Sequence, residues 1–171
     1  IDCNRRPGSE TSILAESDGT KIPGNQRLSA DDIDMRVREI FDPYHRKISS
    51  HLDGRRDAGR PTILVSLHSF TPVYGDIPRP WHAGVLYNRY PDLSLAMFKL
   101  LDAEGDIVVG NNEPYSVTDE TDYSIPVHGE QRGLPHLTLE TRQDLIADKV
   151  GQTAWATRLA SLLPQAVKKA G

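Results

Sequence analysis

Apolar residues recur along the chain in two periods, and the switches between them divide it into elements. Ile33, Val37, Ile40, Phe41, Tyr44 and Ile48 fall at helical spacing, and Ser29 with Asp32 stands where a capping box would open the helix, so a helix is predicted from about Ala30 to His51. Ile63, Leu64 and Val65 form a β-branched-rich run between Pro61 and Thr71-Pro72, which predicts a buried strand ending at His68. Further short strands are expected at Gly84 to Tyr87, Asp106 to Val109 and Leu137 to Glu140. Amphipathic helices are expected at Pro91 to Asp102 and Gln143 to Val167. The stretches 7–28, 74–82 and 110–133 are rich in Gly, Pro, Asp and Asn and read as loops. Ile1 to Arg6 reads as one more strand, whose alternation would turn Cys3 away from the polar residues around it. Helix and strand alternating at this density argue for an α/β fold with a mixed sheet flanked by helices.

Composition narrows the class. At 171 residues the chain is long enough for one domain with a real core, and 26% charged against 37% hydrophobic residues is ordinary for a globular protein. A net charge of −4 and a pI near 5.8 give no electrostatic case for nucleic acid or an anionic membrane as partner. Cys3 is the single cysteine, which excludes an internal disulfide and points to a reducing, cytoplasmic compartment. The chain opens on a polar cluster with no preceding turn, as expected of a domain incomplete at its N-terminus.

Ligands in open α/β sheets sit outside the carboxyl ends of strands. Three segments carry functional groups at such predicted ends: His68 in one, Glu140 and Arg142 in another, and Asp2, Asn4, Arg5 and Arg6 in the first. A histidine, a carboxylate and arginines are the groups that metal-assisted amide hydrolysis requires. A zinc ion takes His and carboxylate ligands and acidifies its water, a carboxylate shuttles the proton, and a guanidinium holds a substrate carboxylate in a planar two-point contact. No HExxH motif and no adjacent pair of metal ligands is present.

IDCNR, VSLHSFTPVYGDIPRPWHAGVLYN, NEPYS and IPVHGEQRGLPHLTLETRQDLI, in that order, resemble the N-formylglutamate amidohydrolase family across essentially the whole chain. The resemblance implies a zinc-dependent exopeptidase-like (phosphorylase/hydrolase-like) architecture, related to zinc carboxypeptidases and aspartoacylases. It also implies hydrolysis of an N-acyl acidic amino acid, N-formyl-L-glutamate above all, in histidine breakdown. By the same resemblance His68 is a zinc ligand, with the other ligands upstream of IDCNR. Glu140 is the general base, Arg142 its orienting neighbour, and Asn4 and Arg5 the grip on the substrate α-carboxylate, with Asp2 behind them. His82, Asn111, Tyr115 and His128 are candidate pocket residues. Two alternatives stay open: a carboxypeptidase or N-acyl amino acid deacylase of other specificity, and a non-catalytic carboxylate-binding α/β module. Oligomeric state, acyl preference and metal identity are not fixed by the sequence.

Overall fold

A computed structural model describes all of residues 1–171. The chain forms two compact units, one of residues 1–63 with 118–134 and the other of residues 64–117 with 135–171.

The first unit is built on a long helical segment. The capping box at its start is formed: the Ser29 hydroxyl accepts the Asp32 N–H at 3.2 Å and the Asp32 carboxylate accepts the Ser29 N–H at 3.0 Å. Before it, β1 (Glu16–Ser17) and β2 (Thr20–Lys21) pair as a small hairpin, because Asp18 (φ 48°) and Gly19 (φ 71°) supply the two left-handed residues of a tight turn. Helix α1 (Ala30–Arg36) continues through one wide turn, Val37–Phe41, into α2 (Asp42–Asp57). Pro43 explains the wide turn. It has no N–H to give, and its ring excludes the carbonyl four residues back, so the Asp42 N–H reaches to Val37 instead.

That inserted residue has a consequence for packing. It rotates the inward face by about 100°, so Ile40 and Tyr44, in phase with Ile33 and Val37, are about half exposed, while Phe41, His45 and Leu52 are buried. Against them lies the segment 118–134, where Tyr123 meets the Phe41 ring edge-on at 4.9 Å and Ile125 is buried.

Residues 1–6 do not form the expected strand. Asp2 accepts the Asn4 N–H at 2.7 Å through its side chain and the Arg5 N–H at 3.3 Å through its carbonyl, a local turn that outcompetes extended pairing. Without that strand, alternation does not set the direction of Cys3. Its carbonyl instead accepts from His45, and burial raises its thiol pKa.

The second unit holds a four-stranded mixed sheet. β3 (Leu64–Phe70) leads, by way of the hairpin β4 (Val73–Tyr74) and β5 (Ile77–Pro78), to β6 (Ala83–Leu86). The hairpin was expected to be loop, but Gly75 and Asp76 both take positive φ and close a two-residue turn. After helix α3 (Asp92–Asp102) come β7 (Val109–Asn111) and β8 (His136–Arg142), and helix α4 (Lys149–Ala170) closes the chain. The order across the sheet is β3, β8, β6, β7, with β3 parallel to β8, β6 antiparallel to β8, and β6 parallel to β7.

Leu137 and Leu139 of β8 and Val85 of β6 face Leu93, Met97 and Leu101 of α3 and Leu162 and Ala166 of α4, forming one apolar core. Met97 and Leu101 are fully buried, and each such side chain contributes about 1.5–3 kcal/mol. Helix α4 starts six residues later than its apolar spacing suggests. Asp148 accepts the Gly151 N–H at 2.8 Å and fixes the first turn there, leaving Gln143–Ile146 as a separate short turn. No helix is long and apolar enough to cross a membrane.

Candidate active site

Strand β8 reads HLTLETR, and its pleat separates it into two faces. Leu137 and Leu139 point into the helix-covered core, so His136, Thr138, Glu140 and Arg142 share the other face. The first three of these are buried. A run of polar side chains on a buried sheet face costs stability unless it is paired or used.

Register extends this face across the sheet. His68 of β3 is the partner of Glu140 on one side, Gly84 of β6 is its partner on the other, and Gly110 of β7 continues the row. Side chains directly opposite one another in a sheet have Cβ atoms about 5 Å apart, so the imidazole of His68 and the carboxylate of Glu140 stand side by side. Ser66, two residues before His68 and on the same face, holds Nε2 of that ring with its hydroxyl at 2.9 Å.

The two glycines are there because backbone lies on them. A Cβ at Gly84 would meet the Glu113 carbonyl oxygen at 2.1 Å, and one at Gly110 would meet it at 2.6 Å. Residues 113–114 are thereby laid directly on the sheet beside Glu140. Strand β7 begins at Val109 rather than at Asp106, where its pairing with Ala83 of β6 starts. The strand includes the glycine that the loop needs to approach.

The remaining candidates of this unit surround the row in different ways. Arg142 forms a two-point ion pair with Asp144 (2.8 and 3.2 Å) and reaches the carbonyls of Arg79 and Trp81. The pair depresses the Asp144 pKa. His82 accepts the Val108 N–H on Nδ1 at 2.9 Å, which leaves its proton on Nε2. Tyr115 lies against the Arg79 guanidinium, its ring centre 4.8 Å from Cζ. Asn111 pairs in register with Val85, on the face opposite Glu140.

The first unit places Asn4, Arg5 and His128. Asn4 donates to the Asp122 carboxylate at 2.8 Å and accepts the N–H groups of Tyr123 (3.3 Å) and Ser124 (2.9 Å). Arg5 donates to the Thr121 carbonyl. His128 stacks on His45, with its Nε2 2.8 Å from Nδ1 of His45, whose own Nε2 lies 2.7 Å from the Cys3 carbonyl.

A carbonyl only accepts, so in the neutral pair His45 donates to Cys3 and His128 donates to His45. His128 Nδ1 is then a buried lone pair without a hydrogen-bond partner. Burial, followed by the charges of His45 and Arg132, pushes the His128 pKa down to about 4. Burial lowers that of His45 as well. The pair lines a surface groove of about 760 Å³ along α2, with Asp42, Asp53 and Tyr123.

No three His, Cys, Asp or Glu side chains gather closely enough to hold an ion. His68 and Glu140 are two donors where zinc takes three or four protein ligands. The residues present do not complete a metal site.

Some of these features escape a reading of the sequence. His45 stands at i, i+4 from Phe41, and that spacing is the signal for its burial. Gly84 and Gly110, as glycines within apolar strands, were the signal for a close backbone approach.

The chain matches the family model described as N-formylglutamate amidohydrolase over residues 1–147. No curated protein matches it. Among solved structures, a gene product of Agrobacterium tumefaciens is 32% identical, with a TM-score of 0.93 over 98% of this chain and 66% of that one. N-formylglutamate amidohydrolase from Ralstonia eutropha is 16% identical, with a TM-score of 0.58 over 83% of this chain and 55% of that one, a likeness of fold alone. The chain thus spans just under two thirds, and just over half, of the lengths of these two proteins.

Proposed function

The chain belongs to the N-formylglutamate amidohydrolase family, and from that premise we propose that it hydrolyses the amide bond of N-formyl-L-glutamate to formate and L-glutamate at the polar face of β8. The observation that carries this is the row His68, Glu140, Gly84, in which a buried carboxylate stands between an imidazole and a glycine on which the Glu113–Pro114 backbone is seated. In this reading the four-stranded sheet is the core of a zinc-exopeptidase-like architecture.

Glu140 is the general base. Its carboxylate takes a proton from a water molecule as the water oxygen bonds to the formyl carbon. The tetrahedral species collapses by breaking the C–N bond, and Glu140 hands the same proton to the departing nitrogen, so formic acid and the free amine are released and the carboxylate is restored; the acid then gives its proton to the amine, leaving formate and the ammonium form of glutamate. Ser66 and the sheet hold His68 beside it. His68 offers one of the donors a divalent ion would need, but no step is derived through a metal, because the set is incomplete. The fixed Nε2–H of His82 and the hydroxyl of Tyr115 are the groups of the same unit we assign to substrate contact.

The test is formate release from N-formyl-L-glutamate by the wild-type chain and by Glu140→Gln. General acid–base catalysis contributes 10²–10⁴-fold, so the substitution is expected to lower kcat on the order of 10³-fold without unfolding the chain. Turnover equal to wild type would remove Glu140 from the mechanism.

A further inference from the structure

Arg79 is a buried arginine whose charge no acid balances. It is 8% exposed, and its guanidinium makes no ion pair. Its side-chain hydrogen bonds are two long ones, from Nη1 to the Thr71 carbonyl at 3.5 Å and to the Thr71 hydroxyl at 3.4 Å.

Three aromatic rings hold it in place. Tyr74 and Tyr115 each lie 4.8 Å from Cζ to ring centre, and Phe70 lies at 5.9 Å. Cation–π attraction recovers part of the hydration that burial removes. It leaves most of the five N–H donors of the planar fork unused, and a buried guanidinium is held at a cost unless an anion completes it. The loop that carries it is pinned at both backbone groups: the Arg79 N–H donates to Pro72 at 2.8 Å, and its carbonyl accepts from Arg142 at 3.4 Å. The cage is a built feature on a fixed hairpin.

Its position relates it to the catalytic row. Phe70 is the register partner of Arg142, two residues beyond the pairing of His68 with Glu140 and on the same face. Two residues of strand advance about 6.6 Å. Tyr115 follows directly on the segment 113–114 that the glycine pair seats beside Glu140. In N-formylglutamate the side-chain carboxylate is five bonds from the formyl carbon, about 6 Å when extended, whereas the α-carboxylate is only three bonds away.

We propose that Arg79, in its cage of Tyr74, Tyr115 and Phe70, is the residue that binds the side-chain carboxylate of the substrate and so selects an acidic amino acid. A planar fork meeting a planar carboxylate gives two parallel hydrogen bonds, which a lysine cannot reproduce. The inference rests on the hydrolase reading for its substrate, but its binding arm does not depend on turnover.

Two measurements test it. In the first, calorimetry follows glutarate and its neutral diamide, glutaramide, binding to the wild-type chain, to Arg79→Lys and to Arg79→Met. Wild type is expected to bind glutarate at least tenfold more tightly than glutaramide, with the preference reduced in Arg79→Lys and lost in Arg79→Met. In the second, kcat/KM is compared for N-formyl-L-glutamate and N-formyl-L-glutamine. Arg79→Met is expected to lower the first by roughly a hundredfold, through KM, and to leave the second within about threefold.

A wild-type chain that binds glutarate no better than glutaramide overturns the proposal, as does an Arg79→Met chain that keeps the preference. Equal losses on both formyl substrates would also overturn it. Should Arg79→Met fail to fold, the wild-type preference and the Arg79→Lys values decide. If wild type binds glutarate selectively but releases no formate, the hydrolase reading fails and the carboxylate site stands.

Discussion

The two units of this molecule treat their polar residues in opposite ways. In residues 1–63 with 118–134, the polar groups are spent on one another. Asn4 holds the turn at 122–124, Arg5 a carbonyl at 121, Arg132 the Asp53 carboxylate at 2.6 Å, and His128 the ring of His45. In residues 64–117 with 135–171, a glutamate, a histidine and an arginine are gathered on or beside one sheet face. Two glycines there make room for backbone, and one guanidinium is surrounded by rings instead of acids. Polar density alone therefore does not mark a site. What distinguishes the second unit is a backbone segment seated on two glycines and a buried guanidinium caged by rings, both held at a cost to the fold.

Substitutions can sharpen this contrast. The largest effect is expected at Gly84→Ala. Its methyl group would overlap the Glu113 carbonyl, and overpacking against backbone at a strand position costs about 3 kcal/mol. Thermal unfolding should show the drop, and formate release from the folded fraction should fall with it because the 113–115 segment is displaced. An unchanged Tm would mean that the segment is not seated on the glycines.

A second effect follows from the histidine pair. His128 titrates near 4 in the folded chain and near 6.5 when unfolded, so above pH 6.5 both states are neutral and stability is level. As pH falls below 6.5 the unfolded chain takes up the proton first, and stability is lost until the folded chain also protonates near pH 4. The loss is on the order of 2–3 kcal/mol across that window. His45, lowered in the same direction, adds to it. Denaturant midpoints measured from pH 7 to pH 4 check this, and His128→Phe should flatten the profile.

The smallest effect is expected at Asn4→Ala, where three partly buried hydrogen bonds are removed. That change should cost about 1–2 kcal/mol, read as a shift in Tm.

How much of this was legible in the residues differs by element. The helix after Pro91 and the mixed α/β class follow from periodicity, since apolar packing dominates there, whereas the strand expected to be buried and to end at His68 is an edge strand that runs to Phe70 and leaves Leu67 exposed. The N-terminal strand was misread because Ile1 and Cys3 alternate with polar residues as a strand would, while the Asp2 side chain closes a turn. Ile40 and Tyr44 were placed on the inner face because a strict 3.6-residue period does not anticipate the extra residue that Pro43 forces into the helix. His68 beside Glu140 could be guessed from strand ends, but the register that pairs them is a property of the sheet. Arg79 was passed over as one basic residue in a proline-rich loop. Only the fold brings Phe70, Tyr74 and Tyr115 around it.

In the proposed hydrolysis Glu140, on the polar face of β8, moves the proton. The most direct measurement is formate release by Glu140→Gln under saturating N-formyl-L-glutamate, with folding verified by thermal unfolding. A kcat reduced about a thousandfold with a KM near that of wild type is expected. A folded Glu140→Gln chain that turns over at the wild-type rate would contradict it.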